Sequence, residues 1–116
     1  MDDVDGAFKA GIVQLILSHD ADEALEALAQ RYGVDAPGLR VGLPKGRVNV
    51  SGCYVGKKET IYVASSDGLA NPFLILLEFY HHLRSVSGKH GGTERYADRF
   101  AREYLDEYRA HAPGRS

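Results

Sequence analysis

The apolar positions change period along the chain. Within residues 7–17, Ala7, Phe8, Ile12, Leu15 and Ile16 recur at helical spacing until Ser18-His19-Asp20 interrupts them. Asp20 or Asp22 is suited to cap a second helix through Leu25, Leu28 and Ala29 to Tyr32, and Gly33 is placed to end it. Residues 1–36 therefore read as a helical hairpin that needs another layer to pack against.

Residues 37–68 have a different texture. Glycines recur at 38, 42, 46, 52, 56 and 68 among β-branched residues. Arg47-Val48-Asn49-Val50 alternates, Tyr54-Val55 follows, and Gly56-Lys57-Lys58 offers a turn. Thr60-Ile61-Tyr62-Val63-Ala64 then has strong strand composition. The pattern predicts a small, mostly antiparallel sheet of about three short strands.

Helical periodicity returns at Asn71-Pro72, an N-cap residue followed by a proline where the missing N–H costs nothing. Residues 71–87 are apolar nearly all round, which predicts a helix through the core, closed by Ser87-Gly88. Gly91-Gly92-Thr93 is suited to cap a last helix over residues 93–110, with an apolar stripe of Tyr96, Ala97, Phe100, Ala101, Tyr104, Leu105 and Tyr108. Residues 111–116 read as a loose tail. The fold class is α+β, in one domain covering residues 1–116.

Composition sharpens this picture only modestly. At 116 residues, 44% hydrophobic and 26% charged, the chain has the make-up of one globular domain able to bury a core. Its single cysteine, Cys53, allows no internal disulfide, which favours a reducing, cytoplasmic setting. A net charge of -2 lacks the basic footprint of a nucleic-acid binder. The apolar run at residues 11–17 is far shorter than the roughly 20 residues of a membrane span and is not placed like a signal peptide. Neither nucleic acid nor membrane is expected as a partner.

The chemistry concentrates in the core helix, where Glu78, His81 and His82 interrupt Phe73, Leu74, Ile75, Leu76, Leu77, Phe79, Tyr80 and Leu83. A carboxylate among apolar residues costs several kcal/mol unless it is paired, hydrogen-bonded or protonated. Glu78 and His81 are three residues apart and share a face. Either they pair with polar groups of the last helix or line a wetted edge of the core, or they belong to a site. His82 falls on another face, as a surface or boundary residue. His19, His90 and His111 fall in predicted loops or the tail, where they are read as solvated.

Leu77-Glu78-Phe79-Tyr80-His81-His82-Leu83 resembles the HExxH helix of zincin metallopeptidases, with Leu77 where the first His belongs. Glu94-Arg95-Tyr96-Ala97-Asp98 resembles the ExxAD segment of gluzincins. Preceded by the strand Thr60-Ile61-Tyr62-Val63, the two motifs make the region from Tyr54 to Leu105 similar to the minimal gluzincins of archaea. The resemblance implies a zincin-like domain. It assigns His81 as the second histidine ligand of a zinc ion, Glu94 as the third ligand, Glu78 as the general base and Asp98 as an outer support to the absent first histidine. It also implies an extended peptide or protein substrate lying as an added strand along Thr60, Ile61, Tyr62 and Val63.

Leu77 removes one ligand, because an aliphatic side chain has no lone pair to offer. His82 is rotated by about 100° from His81 around the helix. His90, His111 and Cys53 remain as substitute ligands, although a buried structural thiol is the simpler reading of Cys53. Without that first histidine, Asp98 either turns to Arg99 or Arg102 or sits under-satisfied; a carboxylate in the first turns favoured by the helix dipole is an equally available reading, which also covers Glu94. Three readings follow: a catalytically impaired gluzincin-type homologue, an active zinc peptidase with a substitute ligand, and a non-catalytic peptide-binding or regulatory module in the same cleft. Zinc is expected only if the site is functional.

Overall fold

The structure is a computed structural model that describes residues 5–88 and 94–111. Helix α1 (Gly6–Leu17) starts at Asp5, whose side chain accepts the Phe8 N–H at 2.8 Å. It buries Ile12, Val13 and Ile16. Helix α2 (Ala21–Tyr32) buries Ala24, Leu25 and Leu28 and ends at Gly33, whose φ of 73° is the left-handed turn that glycine adopts without steric cost. Asp20 occupies the N-cap position but makes no side-chain capping bond, so the early acids Asp22 and Glu23 carry the favourable charge there.

Three strands follow: β1 (Gly38–Val41), β2 (Gly52–Val55) and β3 (Thr60–Val63). Their spatial order is β1-β3-β2. β1 runs parallel to β3 with Gly38 opposite Thr60, and β2 runs antiparallel to it with Gly52 opposite Val63. The sheet is therefore mixed, not mostly antiparallel. Residues 47–50, expected as a strand, form none. Asn49 adopts a φ of 61°, which breaks extended backbone, and Val48 is 72% exposed. The missing strand is supplied instead by β1, where a side chain on Gly38 would crowd the Thr60 hydroxyl at 2.9 Å.

Helix α3 (Pro72–Ser87) begins as expected, with the Asn71 carboxamide accepting the Leu74 N–H at 3.1 Å, and closes at Gly88 with a φ of 67°. Helix α4 (Glu94–His111) is amphipathic and buries Ala97, Ala101 and Tyr104 against α1 and α3. Gly91, Gly92 and Thr93, expected to cap it, lie outside the described residues. His111 closes α4 instead of opening a loose tail.

The core is one cluster in which Ile12, Ile16, Leu25 and Leu28 meet Ile61, Val63, Ile75, Leu76, Phe79 and Tyr104. Phe100 packs beside Phe79, Tyr80 and Tyr104, and the hydroxyls of Tyr32 and Tyr104 are 2.7 Å apart. Through these contacts α3 is clamped between the helices and the sheet, with β2 along one flank. Among the described residues, no helix is long and apolar enough to cross a membrane.

Candidate functional site

Helix α3 and strand β2 face each other across a cleft of about 400 Å³, which the start of α4 borders. Glu78, His81, Cys53, Tyr54, Arg47 and Glu94 are among its lining residues. The two segments that resemble the zincin motifs thus contribute to one place. His81 Nε2 lies 3.0 Å from a Glu94 carboxylate oxygen, and the Glu94 side chain is 77% exposed. For His81 this is the pairing with the last helix, one of the alternatives read from the sequence.

Glu78 is 7% exposed. Burial pushes its carboxyl up to about 7, the nearby Glu94 charge adds to the rise, and Arg47 opposes it. A group poised there is divided between a carboxylate and a neutral acid near neutral pH. Cys53, on β2, is also buried. Burial raises its thiol from the ordinary value, Arg47 counteracts this, and the Glu78 charge adds to the rise. A thiol so disposed stays protonated and is a poor nucleophile and a poor metal ligand.

His82 corrects the sequence reading. It is fully buried, not at the surface or boundary. Its Nδ1 lies 2.8 Å from the Tyr54 hydroxyl, and its Nε2 lies 2.7 Å from the Asp35 carbonyl oxygen. A carbonyl only accepts, so Nε2–H is the donor to Asp35. Burial raises the Tyr54 phenol, while a hydrogen bond to Ser85 opposes the rise, so that phenol keeps its proton and donates to Nδ1. The tautomer is thus assigned from its partners. His82 ties α3 to β2 and to the chain leaving α2, and both its ring nitrogens are occupied.

The other sequence-derived positions are not drawn into the cleft. Leu77 is half-buried one turn before His81 and is not among the lining residues. Asp98 accepts a 2.6 Å bond from Arg102 Nε on the outer face of α4. Asp98 has thus turned to Arg102 and is not under-satisfied. His111 caps the far end of α4, roughly 25 Å along the helix from Glu94 at 1.5 Å per residue, and bonds the Glu107 carbonyl. It cannot serve the cleft. His90 lies outside the described residues.

Thr60, Ile61, Tyr62 and Val63 also need correction. β3 is the middle strand, hydrogen-bonded to β1 on one side and β2 on the other. An added peptide strand finds no free edge there. The edge that borders the cleft is β2. The role of Arg47 was missed because residues 47–50 read as a strand; the signal that points to it is the run of basic residues without acids in which it stands.

The donor set among the described residues does not fit zinc. Among the described residues, no group of three or more His, Cys, Asp or Glu side chains is arranged to hold a metal ion. Zinc sites ordinarily need three protein ligands and an open position, or four protein ligands. Here His81 and Glu94 bond one another, and Leu77, an aliphatic side chain with no lone pair to offer, is not among the residues that line the cleft. No family model, curated protein or solved structure matches this chain.

Proposed function

We propose that the chain is a gluzincin-type homologue that keeps the peptide cleft, has lost the zinc ion and with it hydrolysis, and acts as a peptide-binding module. The observation that carries this reading is the junction of the two motif segments. Glu94 of one reaches His81 of the other at 3.0 Å, beside the buried Glu78, while Leu77 leaves the set one ligand short.

In this reading each residue keeps a task that needs no metal. Glu94 holds His81 against the mouth of the cleft. Glu78, with a carboxyl near 7, offers a proton to a peptide carbonyl in its neutral form. β2 supplies main-chain groups to an extended ligand, the role that the central β3 cannot fill. Tyr54 and His82 fix the distance between β2 and α3.

The test is incubation of the full chain with denatured casein, with and without added zinc, followed by mass spectrometry. Intact casein under both conditions is expected. Cleavage that 1,10-phenanthroline stops would replace this reading with an active zinc peptidase that recruits a substitute ligand.

A further inference from the structure

Residues 36–58 hold five of the chain's 14 Lys and Arg residues and none of its 16 Asp and Glu residues. The segment therefore carries +5 and the rest of the chain -7, which together give the net -2. It comprises β1, the connection to β2, β2 itself and the short turn after it; Arg40 lies on β1 at the opposite edge of the sheet, Lys57 and Lys58 follow β2 directly, and Arg47 lines the cleft. Arg47 stands at the cleft from this segment, and Arg84 joins it from the last turn of α3. Neither takes part in an ion pair among the described residues. Of the acids that line the cleft, Glu94 pairs with His81 and Glu78 is buried in the wall, so neither forms an ion pair with Arg47 or Arg84.

The main chain adds direction. Ser51 carbonyl oxygen accepts the Ala64 N–H at 2.8 Å, which places Ser51 opposite Ala64 as a hydrogen-bonded pair. In an antiparallel ladder such pairs alternate, so Cys53 and Val55 also turn their main-chain groups toward β3. Gly52 and Tyr54 then turn theirs outward, on the side where no strand lies among the described residues. Val48 and Val50, in the connection that leads into β2, are exposed apolar side chains.

We infer that the β2 edge takes up an extended acidic peptide, paired as a fourth strand through Gly52 and Tyr54, with its carboxylates met by Arg47 and Arg84. This rests on the peptide-binding reading above and narrows it to a ligand class. An edge strand favours peptide over nucleic acid, because a nucleic acid has no alternating N–H and C=O groups to complete the ladder. Surface charges of this kind act mainly on encounter and selectivity, so binding weakens with salt.

The experiment is fluorescence anisotropy of the full chain against four labelled probes. These are a ten-residue peptide alternating Glu and Val, the same peptide with Lys for Glu, with Ser for Glu, and with alternate main-chain nitrogens methylated. The Glu peptide is expected to bind at least about tenfold tighter than the Lys and Ser peptides. Methylation is expected to remove that binding without any change to the protein. The double variant Arg47→Glu, Arg84→Glu, both at exposed positions, is expected to reverse the preference between the Glu and Lys peptides. Equal binding of the Ser and Glu peptides would overturn the acidic class while leaving the peptide-binding reading intact. Unchanged binding of the methylated probe would overturn strand pairing. Failure of all four peptides would overturn both readings, and displacement of the Glu peptide by a 20-nucleotide single strand would make the edge a general polyanion surface. Casein cleavage bears on the parent reading alone.

Discussion

Glu78 places a carboxyl where burial favours the neutral acid, and that has a consequence for stability. Its group sits near 7 in the folded chain against an ordinary 4.5. Between those values the folded state holds more protons than the unfolded chain, so stability from this group falls as pH rises through the window and levels off above it. Glu78→Gln mimics the neutral form and removes the penalty. It is expected to stabilise the chain at pH 8 by up to about 3 kcal/mol and to have little effect at pH 4. Urea denaturation at the two pH values checks this, and an equal effect at both would contradict it. His82 makes a second point at this scale. Tyr54→Phe removes the donor to Nδ1 and leaves a buried nitrogen without its partner, an expected cost of about 1–3 kcal/mol in the same assay. No loss would mean that the Tyr54 hydroxyl is not the tether of β2 to α3. A lone histidine in an apolar run reads from sequence as a boundary residue, because its partners, Tyr54 and the Asp35 carbonyl, lie 28 and 47 residues away.

The helices were legible in the sequence because their signals are local. Asn71-Pro72 at the start and Gly88 at the end of α3, and Gly33 after α2, act through the residues beside them. The sheet was not. Val48 and Val50 alternate with polar neighbours as a strand does, but Asn49 turns left-handed and the segment leaves the sheet. β1 instead earns its place by pairing with β3 across more than 20 residues, which Pro37-Gly38 gives no local hint of. The pairing of α3 with α4 is the element-level feature that carries the proposed ancestry of the cleft. If the alignment of His81 and Glu94 is that of a lost zinc site, Leu77→His supplies the third donor. That variant is expected to bind zinc at least about tenfold tighter than the unaltered chain in competition with a chromophoric chelator. An affinity unchanged by the substitution, in a folded variant, would show that the Leu77 face of α3 does not converge with His81 and Glu94.

For the whole molecule, the order β1-β3-β2 decides which surface is available. It buries β3, the strand whose composition is most evident in sequence, and gives the cleft to β2, which the sequence signals through Tyr54-Val55 alone. It also sends the acid-free segment to both edges, with Arg40 on β1 and Arg47 at the cleft beside β2, so that cleft, β2 edge and the Arg47 charge belong to one region. The charge asymmetry was present in the sequence, hidden inside a net value close to zero. The central claim is that this cleft works without zinc. Elemental analysis of the tag-free, unaltered chain after dialysis against zinc at neutral pH, followed by removal of free metal, tests it most directly. The account expects far less than one zinc per chain; a stoichiometry near one would contradict it and return the cleft to metal-dependent chemistry.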